Sequence, residues 1–244
     1  MMVPEPRSLQ LTVGHVHDLT PRMREISLVV PAPGQFAYLP GQDVSLGFTA
    51  LDGTAVRRRY SIRRFSSERG LLDIDVVMHG DGPGMRWAQN VSEGMPIEAI
   101  APRGKITLAE GAAWHLFAGD ATAVPAAFAM MEAVPEGMPA FGFFLVDDAN
   151  ERQLLEANGN RRTIQWRYQS VEADPGAALA AAIGGTSLPP TAGQAYLAGE
   201  VGLVSALKAG LLLRGWTGDR IAAKAYWNRG RANAGHGEPE QKAS

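Results

Sequence analysis

A chain of 244 residues, with 45% hydrophobic and 20% charged residues, is long enough for one or two domains with a buried core and is not a disordered composition. The 23 basic and 25 acidic residues give a net charge of −2, which excludes the uniformly basic surface of many nucleic-acid-binding proteins. Cysteine is absent, so disulfides, thiol nucleophiles and cysteine-ligated iron–sulfur or zinc sites are excluded, and any redox chemistry needs a bound cofactor.

The sequence also predicts where the protein works. It contains no apolar stretch of the length that spans a membrane, and its first residues lack the basic and apolar regions of a signal peptide. We therefore expect a soluble, cytoplasmic protein that neither inserts into a membrane nor binds nucleic acid.

The first half of the chain predicts an antiparallel β domain. Short segments of partly alternating polar and apolar residues are divided by turns rich in Gly, Pro and Asp, and one short helix follows a Gly-rich turn. The predicted strands are 8–16, 22–30, 43–48, 57–63 and 71–79, and the predicted helix is 85–91. Short strands at this spacing indicate a small antiparallel barrel or sandwich.

The second half predicts a doubly wound parallel sheet, because apolar strands that are buried on both faces alternate with helices. The predicted strands are 114–118, 140–146, 163–168, 194–198 and 220–227, and the predicted helices are 121–132, 175–183 and 201–214. We expect an N-terminal β-barrel domain over 1–110, an α/β domain over 111–233 and a disordered tail over 234–244.

The arginine-rich segment 57–64 carries the strongest chemical signal. Five arginines surround Tyr60 and Ser61 at the end of a predicted strand. Arginines this dense repel one another unless anions lie among them, and an arginine binds a pyrophosphate through paired hydrogen bonds. A tyrosine ring beside a hydroxyl is suited to a flavin. The segment therefore indicates a flavin site, and a solvated strand face is the alternative.

Two further segments suit phosphate or nucleotide binding. In 76–88 a strand runs into a Gly-rich turn and then a helix start, where free backbone N–H groups favour a phosphate, although an ordinary glycine loop would look the same. Segment 118–126 lacks the G-x-G-x-x-G fingerprint but follows the first α/β strand, where a nucleotide would lie. Asp120 or Thr122 could also simply cap the helix there.

These three segments, together with 198–200 and 225–231, resemble the siderophore-interacting protein family, a branch of the ferredoxin reductase-like FAD oxidoreductases. Family members read approximately R-x-Y-S/T-x-R, H-G-x-G-P-x-S-x-W-A, G-D-E-T-A-x-P-A, G-E and G-Y-W-x-x-G-R, and this chain keeps that order. It departs at Met85, which replaces a small hydroxyl residue, at Ala121, which replaces Glu, and at Ala225, which replaces Gly.

The resemblance implies a FAD-binding barrel, a nicotinamide-binding α/β domain and the reduction of ferric siderophores. A hydride would pass from NADPH or NADH to FAD, and single electrons would then pass to Fe(III), which releases Fe(II). NADPH is the expected donor, with NADH and a reduced ferredoxin as alternatives. A flavin reductase that serves a protein partner and a non-catalytic ferric-siderophore carrier are the competing functions.

The resemblance also implies the site. Arg58 and Arg63 would contact the FAD pyrophosphate and ribityl side, Tyr60 would stack on the isoalloxazine ring, and Ser61 would lie near its N5. The remaining expected cofactor contacts are Val77, His79, Gly80, Gly82, Pro83 and Met85 on the barrel, and Asp120, Thr122, Glu200, Tyr226 and Trp227 in the α/β domain.

Ferric siderophores are often anionic, so cations are expected beside the exposed flavin edge. The candidates are Arg57, Arg59, Arg64, Lys224, Arg229 and Arg231. No protein metal ligands are expected, because the siderophore already holds the iron. For the donor, Asp147 or Asp148 could accept from a ribose 2′-hydroxyl, whereas Arg152, Arg161 and Arg162 could hold a 2′-phosphate.

Overall fold

The computed structural model describes residues 5–155 and 161–229. Its contacts divide the chain into two compact units. The barrel unit comprises Met1–Leu108 with Phe128–Ala133, and the α/β unit comprises Ala109–Ala127 with Val134–Ser244. Arg231 and the predicted tail over 234–244 lie outside the described residues. Among the residues described, no helix has the length and apolar character needed to cross a membrane.

The barrel unit is a closed antiparallel barrel with the strand order β1-β2-β5-β4-β3-β6, and the predicted barrel is confirmed. Its strands are β1 (Arg7–Thr20), β2 (Met23–Val29), β3 (Asp43–Thr49), β4 (Ala55–Ser66), β5 (Leu71–Val77) and β6 (Pro96–Arg103). Helix α1 (Pro83–Asn90) lies between β5 and β6 in the chain. Strand β6 was not predicted, because its prolines mask the inward alternation of Ile97, Ala99 and Ala101.

The barrel closes over side chains that alternate inward along each strand. Leu28 of β2, Leu46 of β3 and Leu72 of β5 are 0% exposed. Burial of each such side chain stabilises the fold by about 1.5–3 kcal/mol. This packed interior gives β4, which carries the arginine-rich segment, a rigid base.

The α/β unit is a parallel sheet with the strand order β11-β10-β7-β8-β9, as predicted for this half. Its strands are β7 (Trp114–Asp120), β8 (Ala140–Val146), β9 (Arg162–Tyr168), β10 (Gly193–Glu200) and β11 (Ile221–Trp227), and its helices are α3 (Pro175–Gly185) and α4 (Val201–Leu213). Helix α2 (Val124–Ala133) is shared, since Phe128–Ala133 belong to the barrel unit. The order reverses between β7 and β10. Nucleotides bind at such a switch point, outside the carboxyl ends of the strands.

The helix predicted over 121–132 begins later in the structure, at Val124. A 3-10 turn over Ala121–Ala123 precedes α2, and Asp120 caps that turn by accepting from Thr122 N. Pro125 is tolerated in the first turn of α2, where its missing N–H has no intrahelical partner. His115 of β7 is 2% exposed, and burial lowers the pKa of its imidazole to about 4.

Candidate functional site

Strand β4 and helix α1 meet at Tyr60 and Gly84. A Cβ at Gly84 would overlap the Tyr60 hydroxyl and would lie 3.5 Å from Arg58 Cγ. Glycine at this position therefore allows Arg58 and Tyr60 to approach the first turn of α1. The Tyr60 ring is half-buried, and burial raises the pKa of its phenol, which keeps the hydroxyl protonated.

The surroundings of Arg58 fit a pyrophosphate. Arg58 donates to the carbonyl of Arg57 at 2.8 Å, and no carboxylate within the described part of the chain pairs with it. No side chain caps α1, whose N-cap residue is Gly82. A Cβ at Gly80 or Gly82 would meet nothing within 4 Å. A partly exposed aromatic ring therefore lies next to a guanidinium that no described carboxylate pairs with, a helix start without a side-chain cap, and open space. This combination suits the phosphates and ring of FAD.

The surroundings of Arg63 differ from those expected from the sequence. Arg63 lies at the β4–β5 bulge, between Ile62 and Arg64, and is 4% exposed. Its terminal amino groups donate to Glu132 at 2.7 and 2.6 Å. Arg63 thus forms a buried ion pair and, unlike Arg58, is not positioned as a phosphate ligand.

Asp75 lies in the same buried cluster. Its carboxylate is 3.8 Å from Arg63 Nε, beyond hydrogen-bond distance, and neither oxygen has a hydrogen-bond partner in the described structure. Burial raises the pKa of Asp75 to about 7, and the nearby Arg63 offsets part of that effect. The cluster therefore holds a carboxyl group that can be neutral near physiological pH.

The predicted substrate cations of the barrel unit are engaged with acidic side chains. Arg57 lies 3.5 Å from Glu98, and both side chains are largely exposed. Arg59 donates to Asp43 at 2.7 Å, and the Asp43 side chain is only 7% exposed. Arg57 is thus the more available of these two cations.

The predicted substrate cations of the α/β unit differ in accessibility. Lys224 is 8% exposed, and its ammonium lies 5.7 Å from the centre of the Tyr226 ring. Arg229 is exposed, and its backbone N–H is 3.5 Å from Glu200 Oε1. Arg229, rather than Lys224, is the cation at this strand end that an anionic complex can reach.

Asp120 organises the switch point of the parallel sheet. Its Oδ1 accepts from the backbone N–H and the hydroxyl of Thr122, at 2.9 and 2.6 Å. Its Oδ2 accepts from Glu200 N at 2.6 Å and from Trp227 Nε1 at 2.9 Å. The sequence suggested a helix cap, but it did not reveal that this carboxylate connects the ends of β7, β10 and β11.

Glycines keep the backbone close together around this carboxylate. A Cβ at Gly119 would overlap the carbonyl of Ala198, and a Cβ at Gly199 would lie 2.6 Å from Asp120 Oδ2. Gly199 also has φ = 127°, a conformation that favours glycine. Glu200 caps α4 by accepting from Leu203 N at 2.9 Å. Small residues and a helix start therefore surround the position where a nucleotide would bind.

The arginines proposed for a 2′-phosphate lie at opposite ends of the sheet. Arg161 and Arg162 are at the amino end of β9, and Arg162 donates to two backbone carbonyls at 2.8 and 2.7 Å. Arg152 lies 5.7 Å from the centre of the Tyr168 ring, at the carboxyl end of β9. Arg161 and Arg162 therefore lie at the edge of the sheet opposite to the carboxyl edge, where nucleotides bind.

The sequence analysis did not identify Phe48 and Trp87, two aromatic residues of the barrel unit, as part of the site. Phe48 of β3 packs against Tyr60, with ring centroids 6.4 Å apart, and against Trp87 of α1, at 5.5 Å. Phe48 pairs with Val56 across β3 and β4. Because Tyr60 pairs with Val44, four residues before Phe48, the pairing alone would have placed the two rings on one face of the sheet but not in contact.

Comparisons with known proteins place both units in one family. Residues 112–230 match the family described as siderophore-interacting protein, and residues 48–106 match the siderophore-interacting FAD-binding domain. The chain is 35% identical over 185 residues to the ferric vibriobactin reductase ViuB of Vibrio cholerae. That match covers 72% of this chain and 66% of ViuB, just under two thirds of the relative.

Solved structures give the same result. A siderophore utilization protein from T. fusca has a TM-score of 0.84 at 29% identity, covering 96% of this chain and 98% of that one. The siderophore-interacting protein SipS from Aeromonas hydrophila has a TM-score of 0.75 at 26% identity, covering 93% of this chain and all of that one.

Proposed function

The chain belongs to the siderophore-interacting protein family, and we propose that it is a cytoplasmic, FAD-dependent reductase that uses NADPH to reduce Fe(III) in ferric siderophores. The observation that carries this proposal is the junction of β4 and α1. There Arg58, which has no carboxylate partner in the described structure, and the half-buried Tyr60 lie beside a helix start without a side-chain cap.

The residues of the barrel unit bind and orient the flavin in this proposal. Arg58 and the N–H groups of Gly84 and Met85 bind the pyrophosphate, so the side-chain hydroxyl absent at position 85 is not required. Tyr60 offers its ring to the isoalloxazine, and the neighbouring Ser61 supplies a hydroxyl. When bound, FAD supplies the chemistry, because it accepts two electrons together and releases them singly.

The α/β unit binds the nicotinamide nucleotide at its switch point. Asp120 fixes the ends of three strands, and the glycines beside it leave the backbone accessible to a nucleotide. Arg152 lies at the carboxyl edge of the same sheet and is the proposed partner of a 2′-phosphate. This placement favours NADPH over NADH.

The proposed substrate is an anionic ferric siderophore. The relative ViuB is named for ferric vibriobactin, and exposed cations occur in both units of this chain, among them Arg57 and Arg229. No residue has to act as a nucleophile or general acid, because the reaction transfers electrons. The protein contributes chiefly by positioning the reactants.

The test is an anaerobic assay with NADPH, a ferric siderophore and a ferrous-iron indicator. We expect Fe(II) to form without any second protein, and we expect kcat/KM to be higher with NADPH than with NADH. Binding of the ferric complex without NADPH consumption would identify a carrier. Flavin reduction without Fe(II) formation would identify a reductase that needs a protein partner. Either outcome overturns the proposal.

A further inference from the structure

Two histidines project from one face of β1. His15 and His17 are separated by a single residue, and side chains two residues apart lie on the same side of a strand. Their rings are stacked, with centroids 6.3 Å apart and an angle of 17° between the ring planes. Both residues are exposed, and neither belongs to the flavin or nucleotide sites described above.

A carboxylate lies beside the first of these rings. Glu93, in the connection between α1 and β6, has its Oε1 3.3 Å from His15 Nδ1. Two backbone hydrogen bonds hold this connection against β1, since Val13 N donates to the Met95 carbonyl and Gly94 N donates to the Val13 carbonyl, both at 2.8 Å. The fold therefore presents the two side chains to each other although they are 78 residues apart in sequence.

The separation of these two atoms suits a metal ion between them. Nitrogen and oxygen ligands about 2.1 Å from a tetrahedrally coordinated ion lie about 3.4 Å from one another. The observed separation is 3.3 Å. The direct ion pair contributes little stability, because the side chains of His15 and Glu93 are 59% and 67% exposed. Little is therefore lost when a metal ion replaces that contact.

His17 supplies the third ligand by a change of rotamer. As the side chains stand, no group of three potential ligands in the described structure is close enough to hold an ion, so the His17 ring has to turn toward the other two. An exposed side chain makes such changes rapidly. Glu25, which pairs with His17 across β1 and β2, adds a negative charge to this face. The surroundings therefore favour a cation.

We propose that His15, His17 and Glu93 form a binding site for a divalent transition-metal ion. Two imidazoles and one carboxylate are suitable ligands for Zn²⁺ and Fe²⁺, whereas Mg²⁺ and Ca²⁺ prefer oxygen ligands alone. A bound ion connects β1 to the segment before β6 and so stabilises the barrel unit. The inference does not depend on the proposed function, because a siderophore brings its own iron.

The experiment titrates the full chain, without an affinity tag, with Zn²⁺ by isothermal titration calorimetry. We expect wild type to show a saturable site that excess Mg²⁺ does not occupy. His15→Ala and His17→Ala should each raise the Kd for Zn²⁺ about tenfold or more, and Glu93→Gln about threefold or more. Glu98→Gln is the matched control and should leave the Kd unchanged, because Glu98 is similarly exposed, at 65%, and also pairs with a basic side chain.

Thermal unfolding with and without Zn²⁺ gives a second measurement. Zn²⁺ should raise the Tm of wild type and of Glu98→Gln, but not that of either histidine variant. The replaced side chains are exposed, so all variants should unfold at the wild-type Tm when Zn²⁺ is absent. The inference is overturned if wild type shows no saturable Zn²⁺ binding, or if either histidine variant leaves the Kd unchanged. Displacement of Zn²⁺ by excess Mg²⁺ also overturns it, because carboxylates alone would then hold the ion.

Discussion

Arg63 binds both carboxylate oxygens of Glu132, at 2.7 and 2.6 Å, across 69 residues of sequence. Arg58, on the same strand, has no carboxylate partner in the described structure. The two arginines of one motif therefore have different physical roles. Arg63 stabilises the fold, whereas Arg58 is available to an anion.

This contrast predicts opposite effects for two alanine variants. Arg63→Ala should destabilise the flavin-free protein by about 3–5 kcal/mol, because it leaves Asp75 without its buried cation and Glu132 with only the more exposed Arg64 at 3.2 Å. Arg58→Ala should change the free energy of unfolding by less than about 0.5 kcal/mol. It should nevertheless raise the Kd for FAD about tenfold or more. Urea unfolding and a flavin titration measure the two effects, and equal destabilisation by both variants would contradict this assignment.

Gly84 should be intolerant of any side chain. Gly84→Ala places a Cβ on the Tyr60 hydroxyl and should destabilise the protein by about 1–3 kcal/mol and weaken FAD binding. The double variant Gly84→Ala/Tyr60→Phe removes that hydroxyl and should recover most of the lost stability. Gly210→Ala is the control, because it lies within α4 with open space around it and should stabilise by about 0.5–1 kcal/mol. Thermal unfolding of the flavin-free proteins measures these differences in stability. A double variant as unstable as Gly84→Ala would show that the Cβ at position 84 does not collide with the Tyr60 hydroxyl.

The architecture could be predicted from the sequence alone, because strand periodicity and apolar runs are local signals. The sequence predicted β8 at its observed bounds and the other strands to within a few residues, but it missed β6, where prolines mask the alternation. It also identified the segments around Tyr60, Gly84 and Asp120. It could not assign Arg63, because the partner that buries this side chain, Glu132, is 69 residues away in sequence. The contact between the Phe48 and Tyr60 rings likewise depends on tertiary packing, because the two residues lie on different strands.

Asp120 should be the residue on which the switch point depends most. Asp120→Ala leaves the N–H groups of Thr122, Glu200 and Trp227 without their acceptor and should destabilise by about 2–4 kcal/mol. The KM for NADPH should rise, while FAD affinity should stay unchanged because the flavin contacts lie in the barrel unit. Thr122→Val, which removes only the hydroxyl bond, should cost about 1 kcal/mol. Thermal unfolding measures the stability of each variant, and steady-state kinetics measure its KM for NADPH. If Thr122→Val lost as much stability and raised this KM as much as Asp120→Ala, the result would be inconsistent with this role.

Asp75 should make stability fall as pH rises. Its folded-state pKa, about 7, lies above the ordinary value of 3.8, so the folded state binds more protons than the unfolded state between these pH values. The stabilising contribution of the neutral carboxyl is therefore complete below pH 3.8 and is lost as the pH rises through 7.

Asp75→Asn mimics the neutral carboxyl and should remove this pH dependence. The amount by which its free energy of unfolding exceeds that of wild type should be larger at pH 8 than at pH 5 by about 2–3 kcal/mol. Urea unfolding at the two pH values measures the difference. A variant that is less stable than wild type at pH 8 would show that the charged carboxylate is favourable beside Arg63.

Electron transfer from a nicotinamide nucleotide through FAD to ferric iron can be followed in one anaerobic absorption titration. Protein loaded with FAD should show the bands of an oxidised flavin, NADPH should bleach them, and a ferric siderophore should then restore them as Fe(II) appears. A protein that stays colourless after incubation with FAD, or a flavin that stays reduced when the ferric siderophore is added, would contradict it.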